Sequence, residues 1–198
     1  MRLWSAVGRG SPRRSTGLSG LLRGTGVNEP RPPDPNWPRY SPRPFPPYRF
    51  VPGKNPHPRR APRGHSYGQP EPKPPAFPPE DWEKSEDYLY GIDLYNFAYW
   101  WECHEVFECL WHAVGHKTQQ GYFFQALIQL AAANLKRFLG NATAAHNLAR
   151  SGLTRLQTIP PIYMGVEVLA LSKDVREYFD GSRRYPPLIR FQHHNLAT

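Results

Sequence analysis

The sequence predicts an all-α fold: a small antiparallel bundle of four to five helices with an extended Pro-rich N-terminal arm. Three observations point there. From residue 81 onward, apolar side chains recur at helical spacing in segments broken by Gly, Asn or Pro-Pro. None of those segments alternates with the period of two that a half-buried strand needs. Proline is concentrated at the front, where residues 1–80 hold 20 of the 24 Pro. At that density the fixed φ of proline and the constraint on its predecessor exclude helix.

The division follows composition. Residues 1–38 read as a disordered basic tail or presequence, too poor in large apolar side chains to offset the entropy of ordering. Residues 39–80 form an arm and spacer: Tyr40, Phe45, Tyr48, Phe50, His57, His65 and Tyr67 sit among the prolines. Aromatics at this density imply that the arm lies against the domain. Its runs 47–53 and 56–65 read as extended and stiff, and 71–80 as a polyproline-like spacer. Residues 81–181 form the helical bundle, and 182–198 an extended C-terminal tail.

Within the bundle, the first helix runs about 82–97, with Tyr88, Ile92 and Tyr95 inward and acids in its first turn, where the helix dipole favours them. The second runs about 99–114 and stops at Gly115. The third, about 120–139, ends at Gly140, a natural left-handed terminator. Asn141 then caps a fourth over 142–156. Pro160-Pro161 separates it from a fifth over 164–179, closed by Asp180-Gly181.

Charge divides the same way. The chain carries +9. Residues 1–80 hold fourteen basic side chains against four acids, +10, and the remainder is −1. Net charge therefore says nothing about the bundle's own chemistry. It does raise a nucleic-acid contact through residues 39–63, where Arg39, Arg43, Arg49, Arg59, Arg60 and Arg63 interleave with aromatics, as in single-strand binders. No stretch reaches the ~18 apolar residues of a membrane span. Cys103 and Cys109 point to different sides of one helix and cannot bridge, which suits a reducing compartment. The expected location is cytoplasmic. An organelle stroma or matrix is the alternative if the acid-free, Arg/Ser-rich residues 1–28 act as a transit peptide.

The candidate site lies on the second helix. Placed at about 100° per residue around His104, Trp100, Trp101, Phe107, Glu108 and Trp111 fall within roughly 60° of it. Glu102, Val106, Cys109 and Ala113 take the opposite face. A carboxylate and an imidazole inside an aromatic stripe must be satisfied by something. Gln125 and Gln129 on the third helix are the expected partners, facing His104, Glu105, Glu108 and Trp111.

Three blocks of sequence, YWWECHEVFECLW (99–111), QALIQLAAA (125–133) and GN followed by AA (140–145), resemble the all-helical family catalogued as domain of unknown function 309. Its pattern reads HE..E..W, then QGLIQ, then GN. The segment GIDLYN (91–96) is similar to the stretch preceding that motif. The resemblance covers about residues 88–180. It implies a helical bundle with His104, Glu105, Glu108 and Trp111 as signature positions, and it implies no reaction. Ala126 and Ala144 stand where the family usually has Gly. The first is expected to widen slightly the approach of the second and third helices.

Three readings of the cluster stand side by side. It is a buried polar network fixing helix register. It is a small-molecule or protein-partner pocket rimmed by Trp100, Trp101 and Trp111. Or it is a divalent-metal centre of hydrolytic type, with His104 and Glu108 completed by His57 and His65 of the arm, or by His112.

Overall fold

The computed structural model describes residues 29–192. The presequence reading of 1–28 and the terminal His193-His194 lie outside them. The described chain is mostly helical. A short 3-10 helix at Pro79–Lys84 leads into α1 (Glu86–Asn96), α2 (Trp100–Val114), α3 (Gln119–Phe138), α4 (Ala142–Leu156) and α5 (Val168–Asp180). A hairpin of two short strands, β1 (Ile162–Tyr163) and β2 (Val166–Glu167), precedes α5.

Local chemistry accounts for most of these limits. Ser85 caps α1, its hydroxyl accepting from the Tyr88 amide, so Trp82 lies in the 3-10 turn and not in α1 as its sequence context implied. Thr118 caps α3 by accepting from Gly121 N at 2.9 Å, and Asn141 caps α4 by accepting from Ala144 N at 3.0 Å. Between α1 and α2 the chain reverses over Ala98, at φ 64. Ala98 N donates to Tyr95 O and Tyr99 N to Leu94 O, the paired bonds of a Schellman turn.

The fifth helix is shorter than its sequence pattern suggests. Residues 162–167 form the hairpin instead, with Met164 (φ 48) and Gly165 (φ 76) as its two-residue turn. Two positive φ values in succession match the twist of a tight hairpin. The tail adds to this hairpin: Phe191 bridges Val166, and Gln192 N donates to Gly165 O at 2.7 Å.

α3 is the central helix, packing most extensively against α4 and α2. Tyr88, Phe107 and Phe124 are fully buried where α1, α2 and α3 meet, and the buried Leu130 packs against Gly152 of α4. Gly91 lets α1 approach α2 closely, since a Cβ there would lie 2.5 Å from the Phe107 ring. Ala126 faces α4, where Gly152 packs against its carbonyl, so the expected widening toward the second helix has no place here.

The arm lies across α1 and α2. Phe45 stacks on Tyr99 with centroids 4.8 Å apart, and Phe50 meets Trp101 edge-on at 5.1 Å. The segment from Pro52 to Gly68 is a succession of turns, not the stiff extended run its prolines suggested. Proline presets φ for a turn as readily as for extended chain. Tyr48 Oη donates to Pro56 O at 2.7 Å, and Asn55 bridges Val51 N and Arg49 O to hold the loop together.

Three buried polar side chains anchor the extensions to the bundle. Asp93, with no exposed surface, accepts from Tyr40 N (2.9 Å), Ser41 N (2.9 Å) and Arg39 Nε (3.1 Å). Glu102 accepts from Phe50 N at 2.9 Å. Asn96 pairs with both backbone groups of Ile189, each at 2.8 Å, and so fixes the tail.

A cleft between the arm and the second helix

α2 is covered on two sides, which changes the expected division of its faces. Its core side is Cys103, Phe107 and Leu110, all fully buried against α1 and α3. Roughly half a turn away, Trp101, Glu102, Glu105, Glu108, Cys109 and His112 face the arm. The aromatic stripe is therefore not centred on His104. His104 sits at the boundary, 3% exposed, with Glu108 half-buried beside the arm-facing surface. Glu102, assigned to the open face by helical geometry alone, is buried because the arm crosses over it.

Between arm and helices is a cleft of about 340 Å³. α2 supplies the floor, α1 contributes Asp87, Tyr90 and Leu94, and the arm forms the roof with Arg59, His65, Gln69, Glu71, Pro72 and Pro74. Its walls thus combine an indole, a phenol and proline rings with carboxylates and two guanidinium groups. Burial pushes the Tyr90 phenol up to about 12, so it presents a neutral hydroxyl, which donates to Pro44 O.

At the edge of the floor, Glu105 and Glu108, which line the cleft, come together with the buried His104, which does not line it. One ligand-type atom from each lies within 4.8 Å of the others, and this is the one such group of three among the described residues. His104 Nδ1 is 3.5 Å from Glu105 Oε1. Donors on a common ion at about 2.0–2.2 Å can be at most about 4.4 Å apart. A small rotamer adjustment of either half-buried carboxylate therefore closes the set.

The arm histidines do not join this group. His65 Nε2 lies 3.3 Å from Glu102 Oε1, and its Nδ1 faces Ser66 Oγ at 2.9 Å. His57 meets Trp101 edge-on at 5.2 Å, and its Nδ1 accepts from Arg59 N. Burial first, and Arg60 nearby, hold His57 below its ordinary pKa, so it packs as a neutral ring. The arm crosses α2 near Trp101 and Glu102, well round the helix from His104, and its histidines stay with that crossing.

Gln125 and Gln129 also lie elsewhere. Their Oε1 atoms accept from Arg155 of α4, at 2.7 Å from Nε and 3.1 Å from Nη1. That flank of α3 belongs to α4, and a guanidinium satisfies both amides there. Trp111 does not line the cleft; its ring stacks on His116 at 3.8 Å between centroids.

Most of the arm's arginines are engaged within the chain. Arg39 pairs with Asp93, Arg43 with Glu86 and Asp87, Arg49 with Glu29, and Arg59 lies 3.9 Å from Glu105. Arg60 and Arg63 are exposed. Cys109 lines the cleft, but burial and the nearby Glu71 and Glu105 push its thiol up to about 11. A thiol so protonated is a poor nucleophile. Among the described residues, no helix is long and apolar enough to cross a membrane.

Residues 88–148 match the model of a family described as Domain of unknown function (DUF309). The chain is similar to that family from α1 to the middle of α4. The matched span contains His104, Glu105 and Glu108, and also the anchors Asp93, Asn96 and Glu102. The comparison with curated proteins finds no match.

Proposed function

We propose that the chain is a small-ligand-binding module, its site the cleft under the arm, with a divalent cation held at the edge of the cleft floor by His104, Glu105 and Glu108. The observation that carries this reading is the convergence of an imidazole and two carboxylates within 4.8 Å beside a cleft of about 340 Å³. One nitrogen and two carboxylate oxygens suit zinc or manganese. Three protein donors leave coordination positions for a ligand oxygen. Trp101 and Tyr90 offer apolar walls for the remainder of that ligand, and Arg59 and Arg43 offer positive charge beside it. A small molecule carrying a carboxylate or phosphate fits this lining.

The test is calorimetric titration of tag-free full-length protein with Mn²⁺ and Zn²⁺, alongside Glu108→Gln and Glu105→Gln. Glu108 is half-buried, so its amide variant keeps the fold. The expected result is Mn²⁺ binding by the parent that weakens at least about tenfold in each variant, ~1.4 kcal/mol, and for Zn²⁺ the loss of the one equivalent held by this group. Equal affinity in parent and both variants would remove the proposal.

A further inference from the structure

Beyond the cleft floor, the structure assigns a second metal-binding position, the pair His112 and His116 at the end of α2. It shares no donor with the His104 group, although His112 also lines the cleft one turn beyond Glu108, and it suits borderline transition cations such as zinc, copper or nickel.

The geometry is that of a chelate at rest. His116 Nε2 lies 2.9 Å from His112 Nδ1. Two nitrogens bound to one ion at about 2.0–2.1 Å are about 2.9 Å apart at right angles and about 3.3 Å apart at the tetrahedral angle of zinc, so the donors need to open by at most a few tenths of an ångström. Both side chains are exposed, which leaves the remaining coordination positions open to water or an incoming ligand.

The pair is held in place by its surroundings. Gly115 ends α2 at φ 89 and turns the chain so that His116 folds back over the last helical turn. Thr118 Oγ1 donates to Gly115 O at 2.9 Å while accepting from Gly121 N, which ties the turn to the start of α3. A Cβ on Gly121 would meet Gly115 O, so the two helix ends pack directly. Stacking on Trp111 at 16° fixes the plane of the His116 ring. Little side-chain freedom remains to be lost on binding, and such preorganisation favours affinity.

The chemistry balances without a redox or covalent step. In the metal-free pair one ring donates its N–H to the other's lone pair. For chelation both facing nitrogens must offer lone pairs. The donating ring therefore moves its proton to its other nitrogen, and two neutral imidazoles bind the ion with no net proton release.

Zinc imposes no d-electron geometry and is diamagnetic, so it is the probe. Imidazole nitrogen resonances of full-length, tag-free protein would be followed through a Zn²⁺ titration, with stoichiometry from calorimetry. His116→Phe keeps the stack on Trp111 but cannot coordinate, and Glu108→Gln reports on the cleft floor. The expected result is a simultaneous shift of His112 Nδ1 and His116 Nε2, and a zinc equivalent that weakens at least about tenfold in His116→Phe but persists in Glu108→Gln. Unmoved His112 and His116 nitrogens at saturating Zn²⁺, or the same zinc affinity and stoichiometry in His116→Phe, would overturn the assignment.

Discussion

Replacing Asp93 by alanine should loosen the arm from the bundle. Its carboxylate is fully buried and accepts three hydrogen bonds from the arm: Tyr40 N, Ser41 N and Arg39 Nε. Alanine leaves two backbone amides without an acceptor, at about 1–3 kcal/mol each when buried. Ser41 is only 4% exposed and sits at the upper end of that range, while Tyr40 is half-buried and nearer the lower. Arg39 is 30% exposed, so its charge rehydrates and adds little. The expected loss is about 2–5 kcal/mol, limited above by the free energy of peeling the arm off into water. Asp93→Asn keeps one acceptor oxygen and turns its carboxamide NH2 toward a backbone N–H donor, so its loss should be about half as large. Urea unfolding of the full chain gives the magnitudes, and hydrogen exchange at Tyr40 and Ser41 locates them. An alanine variant within about 0.5 kcal/mol of the parent, with Ser41 still protected, would refute the reasoning.

Other sites give sharp expectations. Gly91→Ala drives a methyl into the Phe107 ring, so it should destabilise by about 1–3 kcal/mol in thermal or urea unfolding, through overpacking. Asn96→Ala strips both partners from Ile189 and should cost about 2–4 kcal/mol; exchange at Ile189 should rise while α4 stays protected. Cys109 titrates near 9.0 in the open chain and is pushed up to about 11 in the fold. The folded state therefore retains this proton longer. Its stabilising contribution is present below pH 9 and is lost as pH rises toward 11. Alkylation of Cys109 followed against pH should show a midpoint near 11 in native protein and near 9 in urea.

Helix ends were the most legible features. Gly140 and Asn141 mark a stop and a start whose chemistry is local, and α4 runs over the residues their positions imply. The hairpin at 162–167 was hidden because two-residue strands are too short to show alternation, and because its turn uses Met164 at a φ usually left to Gly or Asn. Within the site, the grouping of His104 with Glu108 follows from their one-turn spacing. Glu102 was misplaced because its burial comes from Phe50 and His65, some forty to fifty residues earlier, and no helical projection contains them. Gln125 and Gln129 share a face of α3, as spacing implies, but nothing in the spacing says that Arg155 lies opposite them. The cleft needs both the arm and the helix, so neither segment read alone reveals it.

The most direct measurement is anomalous scattering from crystals of the full chain soaked in Mn²⁺. The account predicts a peak at the edge of the cleft floor, within about 2.2 Å of donor atoms of His104, Glu105 and Glu108. No peak there at saturating Mn²⁺, with those three side chains left unmoved, would contradict it.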